Sequence, residues 1–447
     1  MSRKHAKARS VPSRVLVAGG GTGGHLFPGL AVIEEMRRRD PGVDVLFVGT
    51  ERGLEARLLP KLGERFHAID VAPLVRVGAW RTAQALVALP RAGVQAIGVL
   101  LSFRPDLVLG LGGYASGPVL AAAAAMRVRS ALLEQNVHVG LTNRLLARGV
   151  GRAYVAYDEA APIFGDTRAR VLGNPLRRAF LDAANLADHD PAGLEARARG
   201  VLVLGGSQGA RALNQHVPDA LAHAAKTTPG LHIVHQTGEA AVAEVRARYA
   251  ALGLDAEVVP FIDDVARAYT RAAVVVARAG AGTLAELCAI GRPSILIPLP
   301  SAAEDHQTKN ALALEAAGAA VAIPEHELAV ERLGGEVASL LIDAERRRAM
   351  AAAARRLGRP DAAAAIVDDL HAWFGVQDAG DRDGGDGGGP EHDAGGGGAD
   401  TGASTDGAVP TGAPVRSPAG RGVRRRAKVT RAELRVRPLD PAADGTR

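Results

Sequence analysis

The chain has 447 residues, a formal net charge of +6 and 47% hydrophobic content, enough for sizeable cores in one to three domains. Aromatic residues make up only 3%, so Ala, Val and Leu must do the packing, and the single cysteine, Cys288, excludes an internal disulfide framework. No apolar stretch is long enough to span a membrane, and the mild basic excess suits anionic substrates, anionic lipid or nucleic acid without selecting among them.

In chain order, residues 1–13 form a basic extension with no apolar run behind it, so a signal peptide is not expected. A short strand at 15–18 then enters Gly19-Gly20-Gly21-Thr22-Gly23-Gly24-His25. Leu26, Leu30, Ile33 and Met36 follow at helical spacing. Further strand-like runs at 43–48, 107–109, 131–133, 153–156 and 170–172 alternate with helical stretches, the pattern of a parallel sheet covered on both faces. Residues 74–104 mix Trp80, Leu86, Leu89, Val94, Ile97, Leu100, Leu101 and Phe103 with Arg76, Arg81, Arg91 and Arg104, which fits either a helix pair with one buried face or an interfacial surface.

The first domain is set at 14–181 and a polar linker at 182–198. Asp188-His189-Asp190 has the look of a D-x-D metal motif, but it lies in that linker rather than at a strand end, and no metal is expected. A second alternating domain spans 199–374, with strands at 201–204, 232–236, 256–259, 273–277 and 295–297. Its first strand enters Gly205-Gly206-Ser207-Gln208-Gly209-Ala210. Cys288 sits in the apolar run Leu287-Cys288-Ala289-Ile290 and reads as core. From 375 to 447 the composition collapses into Gly and Asp and then into an Arg-rich run, the signature of a disordered tail or of a basic arm.

Two units of strand, glycine turn and helix start are two places for phosphate, because unpaired N–H groups and the helix dipole both attract anions. Ligands of open parallel sheets bind beyond the carboxyl ends of strands, which turns the strand ends into a list of candidates. His25 is a general base, a hydrogen-bond donor on the phosphate side, or a histidine that only caps and packs. Glu134 could accept a proton, orient a hydroxyl or cap a nearby helix, and Asn136 offers a donor and an acceptor to sugar hydroxyls. Thr283 and Glu286 have capping-box spacing, which would explain both without a ligand, although Glu286 could equally hold ribose hydroxyls. Ser207 is a phosphate ligand or a turn residue, and Asp263-Asp264 reads as a helix start.

Several motifs, in one order, resemble the bacterial N-acetylglucosaminyltransferase family that completes lipid II. They are the first glycine turn with Phe27-Pro28-Gly29, Gly112-Gly113-Tyr114-Ala115-Ser116-Gly117-Pro118, Glu134-Gln135-Asn136, Gly173-Asn174-Pro175, the second glycine turn, Phe261-Ile262-Asp263-Asp264, residues 278–286, and Gln307 with Asn310. The resemblance covers about residues 14–374 and implies a GT-B fold, with two Rossmann-like parallel-sheet domains facing one cleft. It implies inverting transfer of N-acetylglucosamine from UDP-GlcNAc to the C4 hydroxyl of the muramic sugar of undecaprenyl-linked lipid I, with no cofactor.

By the same resemblance Ser207 meets the diphosphate, Ile262 reads the uracil, Glu286 binds ribose, and Gln307 and Asn310 bind the donor sugar. Thr22, Gly23, Gly24, Asn136, Arg177, Ala281, Gly282, Thr283 and Leu284 map to donor contacts. His25 matches the base, with Glu134 as the alternative acceptor or orienter. The expected setting is the cytoplasmic face of a bacterial membrane, with 74–104 docking on anionic lipid, no nucleic acid, and room for other cell-wall synthesis proteins as partners. Leu133 and Val137 depart from the family pattern beside Glu134, so the loop there is expected to differ in shape. The rival readings are an NAD-type dehydrogenase, a noncatalytic sugar-nucleotide or lipid scaffold, and a relative using another sugar nucleotide. The first wants an acid ending the second strand, where Glu51 comes late.

Overall fold

In the computed structural model of the chain the described residues are 11–71, 79–189, 198–206, 208–300 and 305–383, with 79–89, 186–189 and 376–383 described by backbone only. The alternating apolar runs become two parallel sheets. The first contains β1 (Arg14–Gly19), β2 (Asp44–Gly49), β3 (Phe66–Ala68), β4 (Leu107–Gly112), β5 (Ser130–Glu134), β6 (Arg152–Val155) and β7 (Ala169–Val171), in the order β3-β2-β1-β4-β5-β6-β7. The second contains β8 (Gly200–Leu204), β9 (His232–Gln236), β10 (Ala256–Val259), β11 (Val274–Ala277), β12 (Ser294–Leu296) and β13 (Val321–Ala322), in the order β10-β9-β8-β11-β12-β13. The edge strands β3 and β13 escape a sequence reading because three and two residues are too short to show a strand pattern.

Both sheets are buried on both faces, which is why their central strands read as unbroken Val and Leu runs. Val15 and Val17 pack into one cluster and Leu16 and Ala18 into another on the opposite face. Val201 and Val203 separate from Leu202 and Leu204 in the same way. Cys288 belongs to the second sheet's core, where burial pushes its thiol up to about 12, so it is inert as a nucleophile.

Strand order reverses between β1 and β4 and again between β8 and β11, and each glycine turn leaves the sheet at that reversal. The first turn needs glycine for a steric reason. A register shift between Ala18 and Gly19 sets Gly19 against Gly112, with Gly19 at φ +138°, and a Cβ there would lie 2.5 Å from the Gly112 carbonyl oxygen. Helix Gly23–Arg39 then buries Leu26, Leu30, Ile33 and Met36 on the first sheet.

Two helices exchange partners between the halves. Helix Arg178–His189 starts at the end of the first domain and runs into the stretch expected as a linker, yet Phe180 and Ala183 join the second sheet's core. It carries Asp188 and His189 of the D-x-D motif, whose Asp190 lies outside the described residues. Helix Ala362–Asp383 passes the expected limit of the second domain at 374, and its Ile366, Val367, Leu370, Trp373 and Phe374 pack into the first sheet's core. The reason is legible in hindsight: an apolar stripe at helical spacing precedes the low-complexity stretch, and nothing before Asp383 breaks the helix. Asp369 fixes the docking. It accepts from Tyr154 Oη (2.9 Å), Arg152 Nε (3.0 Å) and Arg170 Nε (3.1 Å), and burial beside Asp369 pushes the Tyr154 phenol well up, so it remains a donor. The Arg152 guanidinium stands 5.0 Å from the centre of the Trp373 ring.

Trp373→Ala would empty this junction. It is expected to lower unfolding free energy by about 3–5 kcal/mol, read by urea denaturation. A loss under about 1 kcal/mol would contradict the packing described.

Candidate functional site

A cleft of about 1990 Å³ is lined by the ends of both sheets. From the first half come Gly20 to His25, Tyr114, Glu134, Gln135, Asn136 and Arg177. From the second come Gly205, Gly206, Gln208, Ile262, Gly280 to Thr283, Glu286 and Gln307. Ser207 lies outside the described residues.

His25 opens helix Gly23–Arg39 and faces the cleft. Its Nδ1 lies 3.3 Å from Thr22 Oγ1, and its backbone N–H donates to the Thr22 carbonyl. Burial lowers its imidazole below the ordinary 6.5, more than offsetting Glu134, a hydrogen bond to Gly20 and Glu55, which act to raise it; His306 lowers it further. The ring is therefore neutral at pH 7 and has a lone pair for a proton.

Glu134 ends β5 and is buried with its lone pairs engaged. Oε1 accepts from Asn136 N (3.1 Å) and Asn136 Nδ2 (3.2 Å). Oε2 accepts from Gly140 N and Asn143 Nδ2, both at 3.0 Å. This carboxylate shapes the loop to helix Leu141–Leu146 and presents Asn136 to the cleft. In the same loop His138 Nε2 meets Lys309 Nζ of the second half at 2.7 Å, so the two walls touch here.

Glu286 is not half of a capping box. Helix Ala281–Ile290 is entered through Gly280, which makes Thr283 a first-turn residue, and Glu286 Oε2 accepts from Tyr269 Oη at 3.0 Å. Burial pushes the Glu286 carboxyl up to about 7, against the Tyr269 hydrogen bond and the nearby Arg177 charge. Arg177 stacks over Phe27 (4.9 Å) and Phe180 (5.5 Å), and its buried Nε has no protein partner. Leu284 lies inside the core, with its N–H donated to the Gly280 carbonyl, and does not face the cleft. Gln307 Oε1 accepts from Leu299 N at 3.0 Å. Asn310, one turn on and 2% exposed, leaves both amide atoms without a protein partner. Asp264 caps helix Val265–Arg271 through Arg267 N, as its position suggested.

Sequence reasoning passed over Asn143, Tyr269, Gln236 and Glu55. Gln236 is the most instructive: its Nε2 donates to the Gly206 carbonyl at 2.8 Å and its Oε1 accepts from Ile262 N at 3.1 Å. It ends β9, so the strand-end rule itself would have found it. The Ile262 N–H, in the loop after β10, is therefore already engaged within the protein.

The models of the glycosyltransferase family 28 N-terminal and C-terminal domains match residues 15–155 and 200–366. The chain is 47% identical over 355 residues to a protein of Anaeromyxobacter sp. (strain Fw109-5), spanning 79% of this chain and 92% of that one. It is 44% identical over 361 residues to a protein of Syntrophus aciditrophicus (strain SB), spanning 81% of this chain and 99% of that one. Both carry the name UDP-N-acetylglucosamine–N-acetylmuramyl-(pentapeptide) pyrophosphoryl-undecaprenol N-acetylglucosamine transferase. The crystal structure of Acinetobacter baumannii MurG superposes with a TM-score of 0.62 at 30% identity, over 81% of this chain and all of that one. Two doubly wound sheets sharing one cleft, both family domains in order and relatives matched nearly end to end lead to one conclusion: the chain belongs to glycosyltransferase family 28, among the N-acetylglucosamine transferases of this name.

Proposed function

We propose that the chain transfers N-acetylglucosamine from UDP-N-acetylglucosamine to the C4 hydroxyl of the muramic sugar of lipid I, with inversion, giving lipid II and UDP. The observation that carries the mechanism is the neutral imidazole of His25 at the cleft, beside a Glu134 whose oxygens are already engaged. His25 takes the acceptor proton as the C4 oxygen forms its bond to the sugar C1. The bond from C1 to the UDP oxygen breaks, and UDP leaves with its electron pair. Glu134 acts as a positioning residue for Asn136 and its loop. Ser207, the second glycine turn and the first turn of helix Ala281–Ile290 (Ala281, Gly282, Thr283) receive the growing negative charge of the leaving diphosphate. Glu286 accepts the ribose hydroxyls, Ile262 borders the uracil, and Gln307 and Asn310 face the transferred sugar. Thr22, Gly23, Gly24 and Arg177 close the donor from the opposite wall.

A purified protein should release UDP only when lipid I or an analogue is present. His25→Ala should lower kcat by about 10²–10⁴-fold. Equal release without acceptor would sink the transferase reading, and full kcat in His25→Ala would remove the base assigned.

The ribose assignment has a pH signature. Below about 7 the Glu286 carboxyl takes up a proton and loses its capacity as a two-oxygen acceptor. The donor KM should therefore rise as pH falls through 7 and level off above it, while Glu286→Gln raises KM and flattens its pH dependence. A wild-type KM that is flat across that range would contradict the assignment.

Among the described residues no helix is long and apolar enough to cross a membrane. For the lipid-linked acceptor we propose docking on anionic bilayer through residues 74–104 and the neighbouring cleft mouth. Val94 (70% exposed), Ile97 and Leu101 (59%) share one face of helix Ala79–Phe103. Ile97 borders the cleft together with the exposed Leu141 and Leu145. Trp80, Leu86, Arg76 and Arg81 of the same segment lie where side chains are not described. The double substitution Val94→Glu, Leu101→Glu should reduce co-sedimentation with phosphatidylglycerol vesicles and leave transfer to a soluble acceptor analogue intact. Unchanged vesicle binding would place the docking surface elsewhere.

A further inference from the structure

Glu55 enters none of the roles above, yet the first glycine turn is built around it. It lies in the first turn of helix Leu54–Lys61, just after β2, and is 1% exposed. Its Oε2 accepts from Gly21 N at 2.6 Å, and its Oε1 accepts from Thr50 N at 2.9 Å and Thr50 Oγ1 at 3.0 Å. Three glycines clear its space. A Cβ on Gly20 or on Gly49 would lie 2.5 Å from this side chain, and one on Gly53 would overlap both carboxylate oxygens. An acid buried this deeply is costly unless every oxygen is bonded, so these contacts are a designed seat and not an accident of packing.

The second turn is seated differently. There a neutral amide, Gln236, donates to the Gly206 carbonyl, and among the described residues no carboxylate bonds to that turn. A turn that is to hold a diphosphate gains nothing from a buried negative charge behind it, whereas a turn that carries a base does. The first turn has also given one of its own anion-binding groups, the Gly21 N–H, to Glu55. Gly20 and Thr22, which flank Gly21 in the chain, both bond His25.

We infer that Glu55 is a positioning residue for the transfer: its buried carboxylate sets the first glycine turn and, through that turn, holds the His25 ring at the reacting hydroxyl. The inference rests on the reading of His25 as the base. The charged and titratable groups around that ring are Glu134 from the end of β5, Glu55 from helix Leu54–Lys61 and His306 from helix His306–Ala316, with the Thr22 hydroxyl at Nδ1. Of the two acids, Glu134 is tied to its own loop, and Glu55 is tied to the turn that carries the base.

Glu55→Gln removes the charge at nearly constant volume and turns an N–H donor toward the N–H of Gly21 or Thr50. The variant should fold and lose up to about 100-fold in kcat, with donor KM raised only a few-fold. Loss of the negative charge lowers the affinity of His25 for a proton, so the acid limb of the kcat profile should move to lower pH. Gly53→Ala is the second variant. Gly53 sits at φ −78°, where alanine is unstrained, so its methyl group acts only by pushing on the carboxylate, and kcat should again fall by more than donor KM rises. Wild-type kcat and an unmoved acid limb in folded Glu55→Gln would overturn the inference. If Glu55→Gln does not fold, wild-type kcat in folded Gly53→Ala overturns it. A wild-type protein that transfers no sugar would instead fail the reading of the function, which these variants presuppose.

Discussion

A parallel strand can pass its chain to a helix only at its carboxyl end, and where strand order reverses two such ends open a crevice between helices that diverge to opposite faces. At Gly19 this constraint leaves no room for a side chain, since a Cβ there would lie 2.5 Å from the Gly112 carbonyl oxygen. It draws the first glycine turn down onto the neighbouring strand, and the start of helix Gly23–Arg39 follows at a fixed place with His25 at its head. The second sheet repeats the reversal between β8 and β11. One geometric rule therefore supplies both walls of the cleft, and the chemistry comes from what is seated behind each turn.

The two walls are held together by an exchange. Helix Arg178–His189 grows from the first half into the core of the second, and helix Ala362–Asp383 returns to the core of the first. The return is secured by apolar side chains and by Asp369, whose oxygens take donors from Arg152, Arg170 and Tyr154. A carboxylate satisfied in this way specifies one docking of the helix, while Ile366, Val367, Leu370, Trp373 and Phe374 supply its buried apolar face. The contact of His138 with Lys309 of helix His306–Ala316 lies at the opposite, substrate end.

Much of this was legible in the sequence because parallel strands buried on both faces announce themselves as apolar runs, and glycine turns at their ends announce phosphate. His25, Asn136, Glu286 and Gln307 were reached from those strand ends, and all four line the cleft. What was not legible depends on contacts distant in the chain. Thr283 and Glu286 satisfy a helix-start pattern locally, and only the fold shows that Gly280 is the entry and Tyr269 the partner of Glu286. Glu134 read as base, orienter or cap until four donors were found on its oxygens. Glu55 was passed over in favour of Glu51, since nothing in the spacing tells that its side chain turns inward beneath Gly20 and Gly21. The helix ending at Asp383 was cut short because low-complexity composition masks a helix whose last turns carry no apolar stripe.

The central claim is a division of labour: the first turn serves the base and the second the leaving diphosphate. Calorimetric titration of UDP-N-acetylglucosamine into His25→Ala, set beside its turnover, tests that claim most directly. The account predicts donor affinity equal to that of the wild type with turnover lost. Donor affinity that falls in step with turnover would contradict it, and would make His25 a donor ligand in place of the base.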